Sequence, residues 1–587
     1  MKHLKYLNKF LWKYQKLIIL GTIFIGIANL FALYPAEFVR KAFDAILINL
    51  ELGDNSSAST HYILLKYGGL IVSFAILKGI FMFCMRQTVI VMSRKIEFDL
   101  KNEIYQQYQK LSISFYKKNK TGDLMNRISE DVSRVRMYLG PALMYAINIL
   151  ILFYLVISKM LSISTILTLY VLIPLPILAI LVYFVSNNIN KRSERVQNQL
   201  SITTTISQET FSGIKIIKAF GNELNTWKNF LISCKSYTYK QIQLVKIEAF
   251  FYPLIITMIG MSTIITVYIG GIESFKGNIT TGNIAEFIIY VNMLAWPVTS
   301  VGWITSIVQR AAASQERIND FLFLEPDIKN NTTNINHLYG DIHFKNISLI
   351  YDDTNIKALN NISFIIKDGS SLGIFGKTGS GKSTIANLIC RLIEKTHGSI
   401  IFDKTNIEDL NLFQLRSQIG YVPQDGYLFS GTIKENIAFG SDIINEKEIV
   451  IAARKAGILE EIKSFSDQFD TIIGERGVKL SGGQKQRLAI ARTFYKKPEL
   501  FVFDDCLSAI DTTKEQEILR NLELESRGKT TIIISHRIAT LKNTDYIIVL
   551  EDGNLIEEGT HLSLIDQEGF YNKMSKIQKN RPESERI

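Results

Sequence analysis

A run of nine residues could do chemistry by its spacing alone, because its glycines, lysine and serine fit the pattern G-x-x-x-x-G-K-S. An apolar segment typical of a buried strand precedes the run, and a segment with helical spacing follows it. Glycines let backbone N–H groups close around phosphate, and a helix N-terminus favours negative charge. We therefore expect a nucleotide site in which Lys382 reaches the β- and γ-phosphates and Ser383 ligates Mg²⁺. The nine residues are Gly376, Lys377, Thr378, Gly379, Ser380, Gly381, Lys382, Ser383 and Thr384.

Two short apolar runs further along the chain end in polar residues, Asp504 with Asp505 after one run and His536 after the other. Paired carboxylates at the end of a buried strand suit a Mg²⁺ ligand beside a group that positions or deprotonates water. We assign these roles to Asp504 and Asp505 respectively. His536 is expected at the same edge of the sheet, as a contact to the γ-phosphate.

Other candidate residues lie on both sides of these runs. Gln424 follows a third apolar run and could coordinate the metal or the water. The ring of Tyr351 could stack on adenine, and a tyrosine on a sheet face is the alternative interpretation. A second helix opening suited to phosphate lies far from the first, and a dimer would place it over a neighbour's phosphate loop. That opening consists of Ser481, Gly482, Gly483 and Gln484.

The elements that position these residues are preceded by a region of long apolar runs. With 587 residues and 47% hydrophobic composition, the chain requires more than one domain. Five charge-free runs are long enough to cross about 30 Å of hydrocarbon: residues 17–34, 137–158, 160–190, 249–272 and 287–309. A sixth, residues 62–92, contains Lys78 well inside it. That charge would face a cavity or a partner, or snorkel to the interface.

The loop charges predict the orientation of the six spans. The first 16 residues and the loops at 93–137 and 187–249 hold five, ten and nine lysines and arginines. The opposite loops hold only Arg40, Lys41, Lys159 and Lys276. The large loops are therefore expected in the cytosol, and the net charge of +11 is assigned to membrane orientation, not to nucleic-acid binding. Four widely spaced cysteines indicate free thiols in a reducing compartment.

Both large loops have helical spacing with a break at mid-length, which predicts a long helix out, a short transverse element and a long helix back. Leu124 and Phe220 flank the breaks and are candidate coupling residues that dock on a nucleotide domain. The basic and apolar faces of residues 1–16 predict a helix at the membrane interface, with Leu4 and Leu7 on its apolar face.

These observations predict a multidomain chain. Residues 1–320 form an all-α domain of six transmembrane helices, residues 321–340 a linker, residues 341–575 an α/β P-loop nucleotide domain, and residues 576–587 a polar tail.

Taken together, the motifs resemble those of ATP-binding cassette exporters built as half-transporters. Residues 480–484 resemble the family's signature, and the phosphate loop, Tyr351, Gln424, Ser508-Ala509-Ile510-Asp511 and His536 stand in the family's order. Gly474-Glu475-Arg476-Gly477 resembles a segment typical of exporters. The resemblance spans nearly the entire chain. It implies ATP and Mg²⁺ as cofactors, a dimer that sandwiches two ATP molecules, and a multi-pass location in the cytoplasmic membrane.

The resemblance also implies ATP hydrolysis that drives export of a lipid, drug or other amphipathic substrate by alternating access. An exporter-fold importer, for example of metal chelates, and an ATP-gated channel or regulatory subunit remain as alternatives, whereas the six spans exclude a soluble ATPase. One residue departs from the family's pattern, because Asp505 occupies the place of the usual catalytic glutamate. This departure predicts slow hydrolysis at the chain's own site. It favours a heterodimer with a second half-transporter over a homodimer.

Overall fold

The computed structural model describes residues 2–51, 57–330, 340–441, 443–474, 480–508 and 510–579. The chain divides into two units. The first comprises Met1–Gln109 and Thr121–Leu324, and the second comprises Lys110–Lys120 and Glu325–Ile587. The segment Lys110–Lys120 therefore groups with the C-terminal half and not with the helices on either side of it. Most of the predicted linker (331–339) and of the predicted tail (580–587) lies outside the described residues.

The apolar runs of the first half form long helices, as expected for segments whose backbone polar groups must be satisfied in lipid. The helices up to residue 322 are α1 Asn8–Lys13, α2 Gln15–Glu51, α3 Ser57–Lys110, α4 Ile113–Lys118, α5 Thr121–Asn126, α6 Val132–Met137, α7 Leu143–Ile163, α8 Thr165–Leu172, α9 Pro174–Ser212, α10 Ile214–Ala219, α11 Glu223–Phe275 and α12 Thr281–Leu322. Two π-helical turns, Arg127–Asp131 and Tyr138–Ala142, join α5, α6 and α7.

Among the described residues, six helical segments are long and apolar enough to cross a membrane, which confirms the six predicted spans. They are Gln15–Asn49, His61–Lys110, Thr121–Ile163, Thr165–Ser212, Glu223–Phe275 and Thr281–Leu322. The last of these, α12, contributes Phe287, Tyr290, Val291 and Leu294 to the centre of the apolar core, where all four are fully buried. By contrast, α3 buries little of its surface, and Lys78 is half-buried on it.

Short helices separate the long helices at both large loops. Ser112 precedes α4 and Asn119 follows it, and α10 lies between Gly213 and the turn at Gly221. Gly221 has a φ of +63°, a left-handed conformation that glycine adopts without a steric penalty. The structure thus has the succession of a long helix, a short helix and a long helix that the loop sequences predict.

The N-terminal segment differs from the expected interfacial helix. It forms a 3₁₀ helix, Lys2–Leu7, followed by α1, and the side chains of Leu4 and Leu7 are buried within the protein. The Asn319 side chain of α12 donates to the His3 carbonyl at 3.0 Å, and the Tyr6 ring meets the Phe323 ring edge-on. The apolar face of this segment therefore packs on protein, which the helical spacing alone could not distinguish from packing on lipid.

The C-terminal unit contains twelve strands within its described part. They are β1 Ile342–Ile350, β2 Lys357–Ile366, β3 Ser371–Gly376, β4 His397–Phe402, β5 Thr405–Asn406, β6 Ile419–Val422, β7 Gly431–Thr432, β8 Ile472–Ile473, β9 Leu500–Asp504, β10 Thr530–Ser535, β11 Tyr546–Glu551 and β12 Asn554–Gly559. They build a six-stranded sheet in the order β12-β11-β3-β10-β9-β6, a four-stranded sheet in the order β2-β1-β4-β5, and the hairpin β7-β8.

Ten α-helices follow β1 in the described part of the chain. They are α13 Lys382–Ile389, α14 Leu412–Gln418, α15 Ile433–Ile437, α16 Glu446–Lys455, α17 Leu459–Ser464, α18 Gly482–Lys496, α19 Thr512–Glu525, α20 Ile538–Leu541, α21 His561–Asp566 and α22 Phe570–Lys579. Successive side chains of β9 enter different cores, Phe501 and Phe503 on one face of the sheet and Leu500 and Val502 on the other. A strand buried on both faces reads as a continuous apolar run, which is why its sequence lacks alternation.

The central strands β3, β10, β9 and β6 are parallel, so their carboxyl ends meet at one edge of the six-stranded sheet. The register places Ser535 opposite Phe375 and Ile534 opposite Asp504. The structure confirms the predicted fold class, an all-α six-helix membrane domain joined to an α/β nucleotide domain.

Candidate active site at the carboxyl edge of the sheet

The phosphate loop connects the end of β3 to the start of α13. Gly379 and Gly381 have φ values of +86° and +96°, a region that side chains rarely allow. A Cβ at Gly381 would also collide with the carbonyl of Ala358 in β2, and one at Gly376 with the carbonyl of Leu550 in β11. The glycine spacing is therefore a steric requirement of this turn.

Lys382 folds back across the loop. Its Nζ donates to the carbonyl oxygens of Gly376 and Lys377 at 2.8 and 2.7 Å. Burial lowers the pKa of this ammonium group, while the carboxylates of Asp505 and Asp504 act in the opposite direction. Phosphate oxygens would be stronger acceptors than these carbonyls, because both partners would then be charged.

The loop also contains a buried polar atom without a partner. The hydroxyl oxygen of Ser380 makes no hydrogen bond to any described residue. A buried hydroxyl in that state is costly unless a ligand or water satisfies it. The side chains of the loop therefore fit a phosphate group.

Ser383 and Asp504 form the oxygen-rich side of the site. The Ser383 hydroxyl donates to Asp504 Oδ1 at 2.8 Å, and the Tyr421 hydroxyl lies 3.5 Å from Oδ2. Burial raises the pKa of Asp504, and the Ser383 hydrogen bond partly offsets that rise.

A divalent cation would favour the ionised form of Asp504. No cluster of three or more histidine, cysteine or acidic side chains suited to a metal occurs among the described residues. The pair Ser383 and Asp504 is nevertheless the kind of sparse oxygen set that suits Mg²⁺ held jointly with phosphates.

Asp505 and His536 complete this edge of the sheet. Asp505 has a φ of +47°, unusual for a residue with a side chain, and its N–H donates to the carbonyl of Ile534 in β10 at 2.9 Å. Its carboxylate contacts the His536 ring. The backbone carbonyl of His536 accepts a hydrogen bond from the Gln578 side chain. The register of β9 and β10 therefore brings together two side chains that lie 31 residues apart.

Tyr351 lies directly after β1 and its hydroxyl is 3.1 Å from Thr384 Oγ1, so it borders the phosphate loop. Lys117 of α4, which belongs to the same unit, places its Nζ 5.1 Å from the centre of the Tyr351 ring. Gln424 follows β6 with an exposed side chain, and its carbonyl accepts from Gln486 of α18 at 3.2 Å.

The segment 481–484 forms the start of α18. Ser481 and Gln484 make a reciprocal capping box, in which the hydroxyl accepts from the Gln484 N–H and the Gln484 amide oxygen accepts from the Ser481 N–H. Among the described residues, no hydrogen bond links this segment to the phosphate loop. The predicted site residues thus fall into two separate groups within one chain.

Glu461 of α17 is a residue of this region that sequence reasoning missed. Its carboxylate accepts from Gln484 Nε2 at 3.0 Å and from Arg487 Nη2 at 2.7 Å, and it also pairs with Lys514 of α19. Asp511 caps that same helix by accepting from the Lys514 N–H. Glu461 therefore ties the start of α18 to α19, a contact among three distant segments that no local spacing signals.

The two predicted coupling residues differ in exposure. Leu124 of α5 is buried, and its carbonyl accepts from the Tyr108 hydroxyl at 2.6 Å. Phe220, at the end of α10, is 82% exposed. Residues 475–477 and Ala509, which belong to segments that carried the family resemblance, lie outside the described residues.

Two cysteines lie close to the site. Cys390 and Cys506 are buried free thiols, whereas Cys84 and Cys234 in the first unit are half-buried. Burial raises the pKa of Cys390 to about 12 and that of Cys506 well above its ordinary value.

Comparison with known proteins gives matches over both units. Residues 17–298 match the family described as ABC transporter transmembrane region, and residues 359–508 match the family described as ABC transporter. The chain is 32% identical over 581 residues to an uncharacterized ABC transporter ATP-binding protein, YknU, of Bacillus subtilis (strain 168), with 98% of each chain covered.

Two further relatives carry functional names. The chain is 33% identical over 570 residues to the multidrug resistance-like ATP-binding protein MdlA of Buchnera aphidicola subsp. Schizaphis graminum, covering 96% of this chain and 97% of the relative. It is 34% identical over 491 residues to the ATP-dependent lipid A-core flippase of Syntrophus aciditrophicus (strain SB), covering 83% and 81%.

A solved structure of a bacterial Atm1-family ABC exporter with ATP bound matches with a TM-score of 0.79 at 24% identity. The match covers 97% of this chain and 99% of that one. This likeness shows a common fold.

Proposed function

Because this chain belongs to the ATP-binding cassette (ABC) transporters, as a multi-pass membrane protein of the exporter type with a cytosolic nucleotide-binding domain, we propose that it uses ATP to export a lipid, a drug or another amphipathic molecule across the cytoplasmic membrane. It does so as one half of a dimer. The names of two relatives, a multidrug resistance-like protein and a lipid flippase, support this substrate range.

One observation carries the proposal. The loop at Lys382, the pair Ser383 and Asp504, and the pair Asp505 and His536 all meet at the carboxyl edge of one sheet, in a chain with six membrane-crossing segments. In this assignment residues 376–384 hold the phosphates of ATP, and Ser383, Asp504 and Gln424 hold Mg²⁺, which supplies positive charge to the phosphate oxygens when it is bound. Tyr351 faces the adenine ring.

The remaining residues act on water and on the dimer. Asp505 orients the attacking water, and His536 contacts the γ-phosphate. Ser481, Gly482, Gly483 and Gln484 complete the ATP site of the partner. ATP drives alternating access only to the extent that it binds the closed dimer more tightly than the open one.

The partner is proposed to be a different half-transporter. Aspartate in place of glutamate shortens the side chain by one methylene, and misplacement of a catalytic group by about an ångström costs about a hundredfold in rate. In such a dimer the slow site would mainly hold ATP while the fast site hydrolyses it. The capped start of α18 would complete the fast site of a partner that carries glutamate.

ATP-driven transport in proteoliposomes tests the proposed function. The full chain, with any co-purifying partner, should move a fluorescent lipid or drug when ATP is added on the cassette side. Lys382→Ala should abolish that movement while membrane insertion persists, because the variant removes the cation from the β- and γ-phosphates. Lys404→Ala, which removes an exposed lysine from the β4–β5 turn, is the control. Normal transport by Lys382→Ala would contradict the assignment.

A further inference from the structure

The last described helix, α22, has one face turned toward the rest of its unit. Tyr571, Met574, Ser575 and Gln578 recur at the spacing of a single helix face, and all four are buried or half-buried. Tyr571 anchors one end of this face, because it is fully buried and its ring meets that of Phe375 in β3 edge-on, with 5.3 Å between the centroids. Gln578 lies at the other end, inside the segment that the sequence predicts as a polar tail.

The side chain of Gln578 makes two hydrogen bonds to the backbone that follows β10. Its Nε2 donates to the carbonyl of His536 at 2.7 Å, and its Oε1 accepts from the N–H of Ile538 at 3.0 Å. Ile538 opens the short helix α20, and the first N–H groups of a helix have no partner within it. One amide therefore uses its donor and its acceptor to hold a backbone group on each side of Arg537.

The position of the His536 ring depends on few contacts. The His536 side chain is 46% exposed, so packing alone does not fix it. Among the described side chains, only that of Asp505 hydrogen-bonds to the ring. Arg537 ties the same loop to Glu515 of α19 at 3.0 Å, but this bond leaves the carbonyl of His536 to Gln578. A rotation of the backbone at His536 would move the ring relative to a bound phosphate group.

We propose that Gln578 is a positioning residue for the contact between His536 and the γ-phosphate. Its amide fixes the peptide groups on both sides of Arg537 and thereby holds the His536 ring within reach of the third phosphate of ATP. Gln578 itself touches neither ATP nor the attacking water. The inference rests on the proposed function, which assigns His536 to the γ-phosphate, and it adds to that site a residue 42 positions away along the chain.

Nucleotide binding tests this role without requiring turnover. Dissociation constants of ADP and of AMP-PNP, a non-hydrolysable ATP analogue, are measured on the purified full-length chain with Mg²⁺, by displacement of a fluorescent nucleotide. Gln578→Met preserves the length and the helix propensity of the side chain and removes both hydrogen bonds. We expect AMP-PNP to bind about tenfold more weakly, the scale of one hydrogen bond to a charged group. ADP binding should be unchanged, because ADP has no γ-phosphate.

A second glutamine supplies the matched control. Gln516→Met makes the same change at an exposed position of α19 and should leave both dissociation constants as in the wild type. A Gln578→Met protein that keeps its preference for AMP-PNP over ADP would overturn the inference. Equal weakening of both nucleotides would overturn it as well, since that result would assign to Gln578 a role in packing the helix.

A double-mutant cycle tests whether the effect passes through His536. His536→Ala alone should weaken AMP-PNP binding at least as much as Gln578→Met does. Once the ring is absent, the addition of Gln578→Met should cause no further loss. Additive losses in the double variant would contradict a role exerted through His536.

Failure of the inference is distinguishable from failure of the proposed function. ATP-driven transport that depends on Lys382, together with an unchanged preference for AMP-PNP in Gln578→Met, removes the inference alone. A selective loss of AMP-PNP binding in Gln578→Met, without any transport that depends on Lys382, removes the proposed function and leaves Gln578 as a positioning residue of a nucleotide site.

Discussion

Both carboxylate oxygens of Asp505 lie close to the same nitrogen of His536, since Nδ1 is 2.9 Å from Oδ1 and 3.0 Å from Oδ2. The two carboxylate oxygens therefore lie at nearly equal distances from this ring nitrogen. The left-handed backbone at Asp505 fixes the direction from which the side chain approaches, and strained conformations of this kind cluster at functional sites. How far the Asp505 carboxylate extends past His536 therefore depends on the length of the Asp505 side chain.

Lengthening this side chain should accelerate ATP hydrolysis. Asp505→Glu extends the carboxylate by one methylene, about an ångström, toward the position of the attacking water, and a gain of up to about a hundredfold is expected. The measurement is the ATPase rate of the chain purified alone. Asp403→Glu is the matched control, because Asp403 also has a positive φ, of +51°, and lies exposed in the turn after β4. Equal, fast turnover in the wild type and in Asp505→Glu would show that aspartate is competent and would remove the argument for a partner that carries glutamate.

Phe220 is expected to couple ATP hydrolysis to transport. The loop sequence places it at a turn, and its side chain is 82% exposed, so docking on a nucleotide-binding domain would bury a large apolar surface. Phe220→Asp should lose about 2 kcal/mol of the docking free energy that this burial provides. The amount transported per ATP should fall, with ATP binding unchanged. Phe211→Asp is the control, since Phe211 is a similarly exposed phenylalanine on α9. An unchanged ratio of transport to hydrolysis in Phe220→Asp would exclude this role.

Arg40 and Glu286 form an ion pair inside the transmembrane unit. Arg40 Nε of α2 lies 3.2 Å from Glu286 Oε2 of α12 without the alignment of a hydrogen bond, and Glu286 also accepts from the buried Tyr290 hydroxyl at 2.7 Å. Arg40→Met would leave the Glu286 carboxylate buried without its cation and should cost about 3–5 kcal/mol, measured by thermal unfolding in detergent.

Two further variants test whether the effect belongs to this pair. The double variant Arg40→Met with Glu286→Gln should recover most of the loss. Lys41→Met, which removes an exposed lysine from Glu37 while Lys159 still pairs with that carboxylate, should change the unfolding temperature little. Equal losses in the single and the double variants would indicate that the helices have rearranged.

The network around Glu461 should make stability depend on pH. Burial alone would raise the pKa of Glu461, but the hydrogen bonds from Lys514 and Gln484 and the charge of Arg487 outweigh it, and the pKa lies below its ordinary value of 4.5. The stabilisation is therefore complete above about pH 4.5 and is lost as the pH falls through the lowered value. Glu461→Gln should destabilise the protein by about 1 kcal/mol at pH 7.

That difference should stay constant from pH 7 to about pH 4.5 and shrink as the pH is lowered further, to about pH 3. Thermal unfolding of both proteins across this range provides the measurement. A difference that is constant with pH would assign the loss to packing and not to charge. Glu460→Gln, a change at the more exposed neighbour that pairs with Lys463, is the control.

The carboxyl edge of the sheet could be predicted from sequence because its parts are local. Each strand is an apolar run that ends in one or two polar residues, and parallel strands carry those ends to the same edge. The glycines of the phosphate loop could be predicted as well, because each satisfies a steric requirement of its own turn. The six spans follow from length and composition alone.

The parts that escaped prediction depend on contacts between distant segments. Glu461 matters because α17, α18 and α19 converge on it, and its sequence neighbourhood is that of an ordinary solvated helix. Leu124 and Phe220 look alike as apolar residues beside a break, yet one is buried and the other exposed. Helical spacing likewise could not decide whether Leu4 and Leu7 face lipid or protein.

The thiol next to Asp505 provides a way to measure local opening at the carboxyl edge of the six-stranded sheet. Cys506 is fully buried directly after Asp505, and burial suppresses its thiolate form, so a maleimide reagent can react only when this loop opens. After serine replaces the other three cysteines, the rate at which the native protein is labelled measures how often this loop opens. A bound nucleotide that holds this edge closed would lower the labelling rate. The rate measured with each ligand would therefore report how strongly that ligand keeps the loop closed.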